Sequence, residues 1–208
     1  MTSFDAIVFV VDDDPLIRDA LEQLIKSVGL KAYTFSSARE FLEEDLPDGP
    51  CCLILDIRMP GLSGLDLQDE LAKIALTIPV IFITGHGTVP MSVRAMKAGA
   101  VDFIQKPFED QELLDAIHSA LERNRQTRME QAEIREIKRR VESLTPREHE
   151  VLLLVTAGKP NKQIAYDLKL SENTVKTHRA HIMQKMKAES LADLVRLTEK
   201  VDICRYKR

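Results

Sequence analysis

This 208-residue chain is poor in the features that would place it in a membrane, an oxidising compartment or an RNA-stacking role. Its longest apolar run, Ala6 to Val11, falls far short of the roughly 20 residues that a spanning helix needs. The first residues lack the basic, apolar and small-residue succession of a secretory signal, so a cytoplasmic location without a membrane partner is expected. Cysteines number three. Cys51 and Cys52 are adjacent and Cys204 is remote, which gives neither a CxxC redox pair nor a metal-ligand spacing, so they are read as small hydrophobes. Aromatic residues make up 5%, sparse for a surface that stacks on RNA bases. What the chain does have is ordinary globular composition. With 44% apolar and 30% charged residues, disorder as the dominant state is excluded, and the length suits two small domains.

Charge is unevenly placed. Residues 1–124 carry 10 Lys and Arg against 21 Asp and Glu, whereas residues 125–208 carry 19 against 12; the halves stand at −11 and +7. An acidic half joined to a basic half points to a C-terminal module that faces nucleic acid.

In the acidic half, short β-branched runs (Ala6–Val11, Lys31–Phe35, Cys51–Leu55, Val80–Thr84, Val101–Gln105) alternate with helical patterns. Pro15 to Val28, for example, places Leu16, Ala20, Leu21, Leu24, Ile25 and Val28 on one face, with Pro15 suited to a first turn and Gly29 to a C-cap. Five such repeats predict an α/β fold with a doubly wound parallel sheet. From Phe108 to Thr145 there is no Gly or Pro, so a fifth helix is expected to run on into a solvated connector. A break near Asn124 fits the sequence equally well. Beyond Pro146 the pattern is all-helical, giving an expected division into 1–124, a helical linker 125–142 and 143–208.

Ligands of an open parallel sheet bind at the carboxyl ends of its strands. There the first strand ends in Asp12-Asp13-Asp14, the third in Asp56, the fourth in Thr84 and the fifth in Lys106-Pro107. Three carboxylates brought together repel, and a hard cation such as Mg2+ answers that cost. With a metal on Asp12 or Asp13 together with Asp56, a carboxylate oxygen of Asp56 can attack a phosphoryl group, with Thr84 and Lys106 binding its oxygens. Taken singly, Asp14 before Pro15 reads as a helix cap and Lys106 as a solvated lysine; a cis bond at Lys106-Pro107 is an option that X-Pro allows.

Residues 5–122 resemble the receiver domain of two-component response regulators. The resemblance rests on Asp12-Asp13, on Asp56 before Ile57-Arg58-Met59-Pro60-Gly61, on Thr84-Gly85-His86-Gly87, on Ala98-Gly99-Ala100, and on Phe103 ahead of Gln105-Lys106-Pro107-Phe108. It implies a flavodoxin-like strand order 2-1-3-4-5. It also implies Mg2+ held by Asp13 and Asp56, with Asp12 beside them and the backbone carbonyl of Arg58 as a ligand. Asp56 would then accept phosphate from a sensor histidine kinase, with Thr84 and Phe103 as the switch.

In the basic half, Gly158-Lys159-Pro160-Asn161-Lys162 reads as a turn into a helix that Asn161 can cap, and Ser171 as the N-cap of a helix to Met186. The apolar positions Val175, Ile182 and Met186 leave Lys176, Thr177, Arg179, Ala180 and Lys185 largely elsewhere on the surface, which suits a helix-turn-helix reading head. A merely solvated basic helix is the alternative for this segment alone. Ser171-Glu172-Asn173-Thr174-Val175-Lys176-Thr177-His178, following Asn161-Lys162-Gln163-Ile164-Ala165, resembles the LuxR-type output domain of regulators of nitrogen fixation and aromatic catabolism.

That resemblance implies a DNA surface drawn from Lys159, Asn161, Lys162, Thr174, Lys176, Thr177, His178 and Arg179. Promoter duplex DNA, RNA polymerase and, on phosphorylation, a second copy of the chain would be the partners. Thr88 and Ala180 stand where the families more often carry polar residues. The chain is expected not to be an enzyme. A phosphatase of the haloacid-dehalogenase type, using Asp12-x-Asp14, is the rival; Leu16 is wrong for its motif and the helical tail would be unexplained. A receiver with an RNA-binding or protein-binding tail is the other. His178 and His181 are read as phosphate contacts or packing rather than metal ligands, and Met91, Met96, Met183 and Met186 as core fillers.

Overall fold

The computed structural model describes residues 6–74, 76–85, 87–201 and 203; His86 and Cys204, both used in the sequence reading, lie outside the described residues. The chain separates into two compact units, 1–128 and 129–208.

The first unit is built from β1 (Ile7–Val11), α1 (Pro15–Ser27), β2 (Lys31–Phe35), α2 (Ala38–Glu43), β3 (Cys51–Asp56), α3 (Gly64–Lys73), β4 (Val80–Thr84), α4 (Val89–Lys97), β5 (Asp102–Gln105) and the first part of α5 (Asp110–Glu142). All strand pairs are parallel, in the order β2-β1-β3-β4-β5. Helices on both faces explain why β1, β3 and β4 are buried along their whole length, as continuous apolar runs should be. The pleat sends Ile7, Phe9 and Val11 into a core with Phe35, Phe41, Leu55 and Phe82. Val8 and Val10 enter another, with Ile25, Ile54, Leu113 and Ile117. Edge strand β2 alternates between exposed and covered positions. Cys51 and Cys52 are free and buried, in keeping with small hydrophobes.

Local chemistry sets the element ends. Asp14 caps α1 by accepting from the Leu16 N–H at 2.9 Å, with Pro15 in the first turn, and Ser37 and Ser63 cap α2 and α3 in the same way. Met91 packs against the first core, but Met96 is 47% exposed, contrary to its reading as a core filler. The inward residue of α4 is Ala95, and one further step of about 100° carries Met96 to the outside.

No break interrupts α5 near Asn124. Asn124 is buried; its side chain accepts from the Cys51 N–H at 3.1 Å and donates to the Thr77 carbonyl at 3.2 Å, so its amide is bound without unwinding the helix. The last turns are not simply solvated, because Ile137 and Val141 are buried in the core of the second unit.

That unit adds α6 (Pro146–Thr156), α7 (Asn161–Leu168), α8 (Glu172–Met186) and α9 (Leu191–Lys200). Thr145 and Glu148 form a capping box at the start of α6. Glu148 is itself buried and also takes a 2.7 Å bond from the Lys185 ammonium on α8. Burial pushes its carboxyl up, and the donors from Lys185 and Thr145 more than offset this, leaving it below the ordinary value. The turn into α8 passes through Lys169 in the left-handed region, and Ser171 caps α8 by accepting from the Thr174 N–H at 3.1 Å.

Candidate phosphoacceptor site and nucleic-acid interface

Residues far apart in sequence converge at the carboxyl edge of the sheet because neighbouring parallel strands end in register. Asp12 directly follows β1, and Asp56 and Thr84 are the last residues of β3 and β4. All three are buried, while Asp13 is exposed. Ligand oxygens of Asp12, Asp13 and Asp56 all lie within 4.8 Å of one another, an all-oxygen set suited to a hard divalent cation. Lys106 follows β5; its N–H donates to the Thr84 carbonyl at 2.8 Å, and its bond to Pro107 is cis. Its ammonium lies 2.7 Å from Asp12 Oδ2 and 3.9 Å from Asp56 Oδ1.

The lysine is therefore engaged first with Asp12, a ranking that spacing along the chain does not contain. The other Asp12 oxygen accepts from the Asp14 N–H at 2.9 Å. Phe103, on β5, is half-buried beside Phe82, with ring centroids 6.5 Å apart. Arg58 is exposed two residues beyond Asp56. The backbone next to it is tied down by the Gly64 N–H, which donates to the Ile57 carbonyl at 3.0 Å.

Burial pushes the Asp56 carboxyl up to about 6; Lys106 and the Ile57 N–H oppose this, and Asp12 and Asp13 reinforce it. The folded chain thus binds this proton more tightly than an unfolded chain would. Without a divalent cation, the resulting stability is present below the ordinary carboxylate range and is lost as pH rises through about 6. Asp56→Asn, which removes the charge, is accordingly expected to stabilise the metal-free first unit at pH 8 by on the order of 1–3 kcal/mol, with little difference at pH 4. Urea unfolding at the two pH values measures this; equal midpoints at pH 8 would contradict a buried, poorly compensated carboxylate. Magnesium should narrow the gap by stabilising the wild type alone.

On the second unit, the residues expected to meet DNA fall into four kinds. Lys162 on α7 and Lys176 on α8 are exposed. Thr177 is exposed too, but its hydroxyl donates to the Asn173 carbonyl at 3.1 Å, and the Thr174 hydroxyl shares a 2.8 Å bond with Ser171. Lys159 pairs with Asp167 at 2.7 Å, and Arg179 donates to the Asn161 side chain at 2.9 Å. Asn161 is the first residue of α7 rather than its cap; Pro160 occupies the cap position, which frees the Asn161 amide for Arg179. His178 is half-buried, and its Nδ1 is buried without a hydrogen-bond partner. It lies three residues after Val175 and four before Ile182, both buried, so it borders the inward stripe of α8.

Sequence reasoning missed Glu148, Asn124 and Gly64. The capping-box spacing Thr145-x-x-Glu148 was a usable signal for the first; the other two act through partners distant in sequence.

Comparison with known proteins decides the family. The family described as the response regulator receiver domain matches residues 8–118, and that of bacterial regulatory proteins of the luxR family matches residues 142–198. The chain belongs to the response regulators. It is 55% identical to Nodulation protein W of Bradyrhizobium diazoefficiens over 201 residues, 97% of this chain and 88% of that protein. To the response regulator protein TodT of Pseudomonas putida it is 48% identical over 201 residues, 97% of this chain and 88% of that one. The solved structure of response regulator StyR matches with a TM-score of 0.85 at 49% identity, covering 94% of this chain and 99% of that one.

This response regulator thus joins a receiver to a LuxR-type DNA-binding domain, in a family that regulates transcription and is not an enzyme family. Receiver domains bind Mg2+ at an acidic aspartate cluster, and this chain carries such a cluster. A receiver implies a kinase partner, and the LuxR-type domain implies DNA. Among the described residues no helix is long and apolar enough to cross a membrane.

Proposed function

We propose that this response regulator accepts a phosphoryl group on Asp56 from a sensor histidine kinase in the cytoplasm, then pairs with a second copy and binds promoter DNA to act on RNA polymerase. The domains would be a receiver at 1–124, a helical linker at 125–142 and the DNA-binding domain at 143–208. The observation that carries this reading is the convergence of Asp12, Asp13, Asp56 and Lys106 on one sheet edge, in a chain that also presents a cationic α8.

The carboxylates of Asp13 and Asp56 and the carbonyl of Arg58 would hold Mg2+, with Asp12 shared between that ion and Lys106. The bound ion supplies charge neutralisation. An Asp56 oxygen attacks phosphorus, the phosphorus–nitrogen bond of a phosphohistidine breaks, and the electron pair leaves with the imidazole. Lys106 then turns from Asp12 toward the new dianion, and Thr84 donates to it. Loss of charge balance at this edge reshapes the α4, β5 and α5 face, where Val89, Val93 and Met96 form an exposed apolar stripe on α4 suited to pairing. Two reading heads brought together should prefer half-sites about 10 bp apart or near a multiple of that.

DNA selected from a random pool, with and without beryllofluoride, tests the output half. Lys176→Ala is expected to relax sequence preference at one position, at a cost of about 1–3 kcal/mol, because Lys176 is exposed on the reading face. Lys162→Ala should weaken all sequences alike and flatten the salt slope by about one unit. An unchanged selectivity profile for Lys176→Ala would remove it from base readout.

A further inference from the structure

The loop between β4 and α4 holds a constraint that the phosphoacceptor chemistry does not use. A Cβ built on Gly87 would lie 2.9 Å from Cε1 and 3.1 Å from Cζ of Phe103, and 3.2 Å from the Thr84 methyl group. The φ of Gly87 lies outside the left-handed region, so an alanine would be excluded by contact and not by backbone strain. Three groups thus meet at one point: the last residue of β4, the ring tip of β5, and a residue two positions before the start of α4. Of these, Thr84 is buried at the end of its strand, whereas Phe103 is half-buried and its ring tip is the far end of a side chain with rotatable bonds. Crowding at position 87 would therefore be relieved by moving the ring, leaving the sheet in place.

We propose that Gly87 is a positioning residue for the switch: the space left by its missing side chain is the seat of the Phe103 ring tip, and filling it uncouples phosphorylation at Asp56 from the α4 face. This rests on the phosphorylation-controlled reading above and names the residue that gates it. The three atoms nearest a Cβ at Gly87 are two ring carbons of Phe103 and the Thr84 methyl carbon, neither a carboxylate nor the Thr84 hydroxyl, so phosphoryl acceptance at Asp56 is expected to persist.

The test uses full-length chains carrying Gly87→Ala, Phe103→Leu and both. Acetyl phosphate with magnesium should add one phosphoryl group to Gly87→Ala, as to wild type, while the gain in DNA affinity on phosphorylation falls by roughly 2- to 30-fold. In the Phe103→Leu background, where Cε1 and Cζ are gone, adding Gly87→Ala should change that gain no further. A Gly87→Ala chain with a full adduct and the wild-type gain overturns the proposal. So does an equal loss in both backgrounds, which would place the effect in the loop instead of the ring seat. A wild-type chain that takes a phosphoryl group at Asp56 but gains no affinity sinks the functional reading, and the gate with it.

Discussion

Acetyl phosphate with magnesium is expected to add one phosphoryl group to the wild-type chain and none to Asp56→Asn, the largest single change anticipated for this protein. Asp56 faces both the Lys106 ammonium, at 3.9 Å, and the oxygens of Asp12 and Asp13. Asp12, the nucleophile in the phosphatase alternative, has its Oδ2 against Lys106 at 2.7 Å and its Oδ1 on the Asp14 N–H, so both of its oxygens are committed. The amide of Asn keeps the shape of Asp56 but is not a nucleophile toward phosphorus. Intact-protein mass spectrometry reads the result directly. A stoichiometric adduct on Asp56→Asn would remove the core of the reading, and one mapped to Asp12 would favour the phosphatase. Chelating magnesium should abolish labelling of the wild type, because the three acids then repel an incoming dianion.

Gly64→Ala should be the most damaging conservative substitution in the first unit. A Cβ there would fall 2.2 Å from the Asp56 carbonyl oxygen and 3.0 Å from the Leu55 side chain. The obstruction is backbone, in the middle of a sheet edge held by the Gly64 to Ile57 hydrogen bond, so neither α3 nor β3 can yield without opening the cores on both sides. The expected loss is about 3 kcal/mol, which for a unit of this size lowers the receiver melting transition by roughly 10 °C. Differential scanning calorimetry should show that transition shifting while the second unit keeps its own. A receiver transition unchanged within a degree would mean that the close approach is not needed. Labelling of Asp56 should fall as well, since the displaced carbonyl belongs to the phosphoacceptor residue.

Much of this was legible in the amino-acid order because the signals are local. Continuous β-branched runs and period-3.6 apolar patterns located the elements, Pro15 and Ser171 marked helix starts, and parallel-sheet topology alone sent Asp12, Asp56, Thr84 and Lys106 to one edge. Asn161 was misread as a cap because its value lies in a contact with Arg179, 18 residues away. Met96 was misread because a methionine next to an inward alanine carries no sign of which way the helix turns it.

By itself, the sequence determined the α/β class, the family, the two-part charge division and which residues are candidates for phosphoryl and DNA chemistry, since each depends on residue type and spacing along the chain. Tertiary structure alone decided that Lys106 rests on Asp12 before Asp56, that burial pushes the Asp56 carboxyl up to about 6, that the buried Glu148 pairs with Lys185 on α8, and that Gly64 has no room for a side chain while a Cβ at Gly87 would meet the Phe103 ring. The physical reason is common to all four. Burial, a distance of a few ångströms between groups far apart in sequence, and the space for one methyl group arise only when separate elements pack together, and local pattern holds no record of them.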